Sequence, residues 1–295
     1  MKRLFFVSLF IIVTVSATFA IPPYFRVAIK SGNIETVALE YKNLIEANGF
    51  TYLGAYKPAN NSGQYVIAFT SPQLKDLATG IADRGALGAV MKLGFIAKDG
   101  KIEVSVLNPE YIFNAYFRNE MEKTRTATDL AAINSKIINL FIEKGFKPIG
   151  FGGDLSAEEL RKYHYMMGMP YFKDPVDLRT FSTFDEGVSV IRKNFEKNSG
   201  ALIKVYELID ADRKVAVFGV GIPDSDKGEG HFLPIIGTDH IAAMPYEIIL
   251  QGNSATMLHG RYRFASHWPE LKMTTFTKIM SSPGDVEDFL KLLVK

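Results

Sequence analysis

The stretch N-L-I-E-A-N-G-F-T-Y-L-G, residues 43–54, holds the end of an amphipathic helix, a glycine stop and the start of a strand. Upstream of the stop, Ile34, Val37, Ala38, Tyr41, Leu44 and Ile45 recur at helical spacing, the apolar stripe of a helix packed on one face. Gly49 ends that helix, because glycine enters the left-handed region without a steric penalty. The same corner returns at residues 139–150 as N-L-F-I-E-K-G-F-K-P-I-G, with Asn, Leu, Gly, Phe and the last Gly in matching places. A looser copy surrounds Gly200.

Outward from the first corner, residues 50–56 and 64–70 read as strands on either side of the turn Asn60-Asn61-Ser62-Gly63. Ser71-Pro72 is a helix start, and Leu74, Leu77, Ala78 and Ile81 give its buried face. Residues 90–97 and 101–107 flank Lys98-Asp99-Gly100, a hairpin signal. Ile102, Val104 and Val106 alternate with Glu103 and Ser105, which predicts one wet face. Asn108-Pro109 closes the unit. A polar stretch at residues 120–127 predicts a boundary, followed by a helix carrying Leu130, Ile133, Ile137, Ile138 and Phe141.

Farther on, Phe184, Val188, Ile191 and Phe195 mark another helix, ended by Gly200, with strands over 201–209 and 214–221. From Gly49 to Pro72 and from Gly200 to Pro223 the span is 23 residues each time. Both spans read glycine stop, strand, turn, strand, proline, and the shared spacing predicts an internal duplication. Strands over 246–250 and 255–266 would repeat the hairpin, with Trp268-Pro269 standing where Asn108-Pro109 stood. A last helix begins at Ser282-Pro283.

The first 20 residues stand apart. Lys2 and Arg3 precede an apolar run over 4–15, and Thr18 and Ala20 lie where a signal peptidase reads. This pattern predicts a secretory signal peptide over 1–20 and a periplasmic or secreted protein, with no transmembrane segment after cleavage. Losing Lys2 and Arg3 from 34 basic residues leaves 32, balanced by 32 acidic ones. That neutrality argues against a nucleic-acid partner. The absence of cysteine excludes thiol catalysis and cysteine-ligated metal centres. The fold class expected is α+β, in two related domains over 21–122 and 123–295, each an antiparallel sheet with helices on one face.

The succession of helix, Gly49-Phe50 corner, two strands, Phe69-Thr70-Ser71-Pro72, and the Asp99-Gly100 hairpin resembles a bacterial α+β family catalogued as domain of unknown function 302. The similar stretches are 34–117 and 184–270. Some members of that family carry a cysteine near the hairpin, where this chain has none. The resemblance implies an α+β sandwich, often exported, and brings neither an activity nor catalytic residues.

His259, Arg261 and Arg263 lie two apart and would share one face of a strand, with His240 in a nearby loop. Two arginines and a histidine on one face suit a carboxylate or phosphate, so a small anionic ligand in an interdomain cleft is one expectation. The other binding expectation is a protein partner. His231, Asp239 and His240 carry the donor types of a transition-metal site, and with His164 and the neighbouring methionines they suggest a metal or haem carrier as an alternative. A third reading pairs Asp239 with His240 for acid–base hydrolysis, although adjacent residues on a strand point apart. The segment Y-H-Y-M-M-G-M-P-Y, residues 163–171, is expected to pack as core, since methionine fills irregular gaps. No cofactor is required by any motif.

Overall fold

The computed structural model describes residues 20–142 and 145–295. The expected signal peptide lies outside the described residues except for Ala20, and Glu143 and Lys144 of the second corner also lie outside them. The chain is α+β.

The first half begins with β1 (Tyr24–Lys30) and α1 (Ile34–Ala47). The Asn33 side chain accepts from the N–H groups of Glu35 and Thr36 and so caps α1. Gly49, at φ +74°, turns the chain into β2 (Thr51–Tyr56). β3 (Gln64–Thr70) comes next, then α2 (Pro72–Thr79), capped by the Ser71 hydroxyl. β4 (Met91–Lys98) and β5 (Lys101–Leu107) form the hairpin around Asp99 and Gly100, both at positive φ. Asn108 then caps α3 (Pro109–Phe117), and α4 (Thr124–Phe141), β6 (Ile149–Phe151) and α5 (Ala157–Arg161) complete this part.

The second half runs β7 (Val176–Thr180), α6 (Phe184–Lys197), β8 (Ile203–Asp210), β9 (Val215–Gly221) and α7 (Glu229–Ile236). It continues through β10 (Tyr246–Gln251), β11 (Ser254–Met257), α8 (Gly260–His267), α9 (Met273–Phe276) and α10 (Ser282–Val294). The first sheet has the order β2-β3-β4-β5-β1-β6 and the second β8-β9-β10-β11-β7, with every pairing antiparallel. Apart from β6, the two orders match strand for strand.

Helices cover one face of each sheet. On the first, Tyr41 of α1 packs on Phe95 and Phe141, and Phe141 of α4 packs on Phe69. On the second, α6 lies so close that a Cβ on Gly187 would meet Leu250 of β10 at 2.8 Å. The opposite faces turn toward each other. A short turn at Ile241–Ala243 sits on β4, where a Cβ on Gly94 would be 2.5 Å from Ile241. The edge strands β2 and β8 also touch, and a Cβ on Gly54 would lie 1.9 Å from the Val205 carbonyl oxygen.

Three expectations change. Ser105 is buried and Glu103 half-buried, so the wet face of β5 is covered by the other half. The division between residues 122 and 123 does not match the sheets, because α4 and β6 lie beyond it and join the first sheet. Residues 255–266 are not one strand: β11 ends at Met257 and α8 begins at Gly260. His259, which accepts from the Arg261 N–H, therefore occupies the capping place of Asn108, and Trp268-Pro269 comes a helix later.

Candidate anion-binding recess

The change from strand to helix disperses the residues expected to form the cleft. Helical residues two apart point roughly 200° from each other, so Arg261 is exposed while Arg263 is buried. Arg263 donates to the carbonyls of Ala243 at 2.6 Å and Pro245 at 2.7 Å, and its guanidinium lies 3.9 Å from the Tyr246 ring centroid. Its Nε is 3.4 Å from Glu247. His259 is half-buried at the α8 cap, and burial pushes its pKa down. His240 is buried between the rings of Tyr24, Phe151 and Trp268, with Nδ1 3.0 Å from the His267 carbonyl and Nε2 3.2 Å from Glu270. Burial lowers its pKa despite that carboxylate. His240, His259, Arg261 and Arg263 do not converge on one cavity.

The metal set is also dispersed. Asp239 is half-exposed and faces Lys98 at 3.9 Å, while His240 is buried and His231 lies on α7. Among the described residues no group of three or more His, Asp or Glu is placed to hold a metal ion. His164 stacks on Tyr171 with ring centroids 3.9 Å apart, and its Nε2 is 2.7 Å from the Met169 carbonyl.

What the facing sheets enclose is a buried polar network. Lys92, second in β4, pairs with Glu247, second in β10. Both are buried, and burial lowers the Lys92 pKa while Glu247 opposes the shift. Glu229 is fully buried and accepts from Tyr56 Oη at 2.8 Å and from the N–H groups of Ala59 and Ile222. His267 sits between Tyr24 Oη at 3.1 Å and Tyr116 Oη at 2.9 Å. Burial, with Arg263 and Lys92 close by, holds His267 well below the usual imidazole range. These groups pair with one another and join the halves.

A different cluster is open. At the end of α3, at the end of α5 and before β7, the side chains of Arg118, Arg161, Lys162 and Lys173 line one recess of about 330 Å³. Leu160, Phe172 and Tyr163, Tyr171 and Tyr262 supply its remaining walls, and no acidic residue lines it. The volume falls at the lower end of the range of about 300–1,000 Å³ usual for small-molecule sites.

The recess is built at some cost. Arg84 and Arg118 both take positive φ, +57° and +45°, where a non-glycine residue stores roughly 1–3 kcal/mol. Their guanidinium groups flank the buried Phe172 ring at 4.9 and 4.8 Å, and Asp83 bridges the two. The Nε of each is buried and has no acceptor among the described residues. Burial lowers the pKa of both arginines, and arginine in proteins stays cationic. Arg161 donates to Asn114 at 3.0 Å and has Glu122 only at 3.8 Å. Lys173 makes no ion pair among the described residues and lies 5.4 Å from the Tyr171 ring centroid. The Tyr163 hydroxyl is taken by the Ala265 carbonyl at 2.8 Å, which leaves its ring as a wall. Arg118 is paired with Asp83 and Lys162 with Glu158 at 2.9 Å, so Arg161 and Lys173 keep the most donor capacity. Cations around aromatic walls can hold a small anion that carries a flat or apolar part.

The expectation that residues 163–171 form core is overturned. Met166, Met167 and Tyr171 are exposed, and the segment walls the recess from outside. Sequence reasoning also missed Arg118, Arg161, Lys162 and Lys173. The available signal was local: the basic pair Arg161-Lys162 and the single Lys173 bracket the tyrosines between them.

Compared with known proteins, the chain matches no family model, no curated protein and no solved structure. Among the described residues no helix is long and apolar enough to cross a membrane.

Proposed function

We propose that this chain is an exported, non-enzymatic binding protein whose ligand is a small anion held by Arg118, Arg161, Lys162 and Lys173. The observation that carries the reading is the meeting of four cations from three segments on one tyrosine-walled volume with no carboxylate in its lining. Export rests on the positive-then-apolar pattern of the first 20 residues.

The matching strand orders support descent of the two halves from one duplicated unit. So do the register shifts, which fall in corresponding strands: β1 and β7, and β2 and β8. Bulges are retained features of a fold rather than accidents, which gives the correspondence weight. The recess is built mostly from the segment between the two halves, with Arg118 at the end of α3 and Tyr262 of α8 completing it.

Calorimetric titration with inorganic phosphate, citrate and phenyl phosphate tests the reading. At least one should bind saturably, more weakly as salt rises. Arg161→Ala with Lys173→Ala should weaken that binding by about 2–3 kcal/mol, since each removes a charge-assisted contact of roughly 1.5 kcal/mol or more. Equal binding by the double variant, or no binding of any of the three, contradicts the site.

A further inference from the structure

A second recess opens on the far side of the 163–171 segment, and it differs in every respect from the first. Tyr165, Met169, Arg261, Trp268, Met273 and Phe276 line it, and its cavity volume is about 40 Å³. That is far below the roughly 300 Å³ of small-molecule sites. It is the size of a side-chain tip.

Three features describe what would fill it. First, the lining is apolar and adaptable: Met169 and Met273 both belong to it, Met273 is 44% exposed, and unbranched thioethers repack around a partner at little cost. Exposed apolar side chains gathered in this way mark interaction surfaces rather than ordinary surface. Second, Trp268 is only 2% exposed, and its indole Nε1 has no acceptor among the described residues. A buried donor left without a partner costs roughly 1–3 kcal/mol, and an incoming carbonyl or carboxylate oxygen would recover it. Third, Arg261 is the one charged residue in the lining, and its guanidinium makes no ion pair or hydrogen bond among the described residues. Tryptophan, tyrosine, methionine and arginine are the residues enriched at protein interfaces, and the first, second and last dominate their hot spots.

We propose that this recess, between α8, α9 and residues 165–169, is a docking site for an acidic segment of a partner protein. One apolar side chain of the segment enters beside Trp268, and a neighbouring carboxylate pairs with Arg261. The inference goes beyond the anion recess and does not depend on it, because the two share no lining residue.

Trp268 is the only tryptophan of the chain, so tryptophan emission, excited where tyrosine does not absorb, reports on this recess. Random peptides selected on the purified protein would be synthesised and titrated while that emission is monitored. The expected winners pair Leu, Phe or Trp with a nearby Asp or Glu and change the emission saturably. Arg261→Glu should weaken them about tenfold or more and should accept matched peptides in which Lys replaces the acid. Trp268→Phe, read by fluorescence polarisation of labelled peptide, should also weaken them while keeping the ring. Winners without an acid, winners that bind Arg261→Glu unchanged, or saturation by sodium dodecanoate but by no peptide would each overturn the proposal. So would a concentration-dependent dimer that buries Trp268, which would make a second copy the occupant.

Discussion

The two halves of the molecule use the same frame and fill it with opposite charge at the point where they meet. In the first, the second residue of β4 is Lys92; in the second, the corresponding residue of β10 is Glu247. Across from Lys92 stands Ala68, and across from Glu247 stands Gly219, so each long polar side chain reaches over a small neighbour toward the other sheet. Two sheets of the same strand order thus face each other with unlike charges at matching positions. Two copies with Lys at both positions, or Glu at both, would bury like charges a few ångströms apart. The halves diverge again beyond their last shared helix. After α8 the chain passes through α9 to α10, whose end accepts hydrogen bonds from Asn194 of α6. After α3 it adds Arg118, α4, β6 and α5, and the anion recess forms there.

That comparison is most easily broken at Glu247. Glu247→Gln leaves Lys92 and Arg263 buried without an anion, and should cost about 3–5 kcal/mol of unfolding free energy in denaturant titration. Lys92→Met should cost less, because Glu247 keeps Arg263 as a partner. Equal losses would mean that the two positions act as a simple pair and that Arg263 contributes nothing.

The edge contact gives the next largest effect. Gly54→Ala places a methyl group 1.9 Å from the Val205 carbonyl. The strands β2 and β8 must separate, at roughly 1–3 kcal/mol. An unchanged unfolding midpoint would show that the halves can slide at this edge.

Protonation sharpens the comparison at the buried seam. His240 and His267 both have pKa values held below the ordinary 6.5, chiefly by burial. Each therefore takes up a proton at a higher pH in the unfolded chain than in the fold. Their contribution is fully present above about pH 6.5 and is lost below it, at up to about 1.4 kcal/mol per pH unit for each histidine. Glu229 acts in the opposite sense: burial raises its pKa, so its charged form weighs against the fold as pH rises above the ordinary carboxylate range. Unfolding free energies measured at intervals between about pH 7 and pH 5 should fall toward acid, and His267→Gln should flatten the slope. A flat profile for the unmodified protein would contradict the burial of these imidazoles.

The smallest effect belongs to the outer seam, where Arg213 joins Asp76 at 2.7 Å and Asp210 at 2.8 Å. Arg213→Ala should change stability by no more than about 1 kcal/mol, since Arg213 and Asp76 face solvent and Asp210 keeps its hydrogen bond from Thr79.

Much of the frame is legible in the residues. Helix α1 with its Gly49 stop, the β2–β3 and β4–β5 hairpins, and the Ser71 cap come from periodicity and turn chemistry alone. The strands β1 and β7 are not legible, and the reason is physical. Each carries a register shift, beside Val27 in one and Leu178 in the other, and a bulge breaks the two-residue alternation by which a strand is recognised. α8 reads as a strand because every residue from Tyr262 to His267 is buried, so no polar side marks a helical period. The recess is hidden for a different reason. Arg118 lies more than forty residues from Arg161, and only the fold of α3 against α5 brings them together.

Native mass spectrometry of the protein purified from cells bears most directly on the central claim, that the junction after the first half binds a small anion. An additional bound mass at one per chain is expected, lost from Arg161→Ala with Lys173→Ala and retained in Arg261→Glu. A chain mass without adduct under gentle desolvation, in protein that also fails to take up phosphate, citrate or phenyl phosphate, would contradict it.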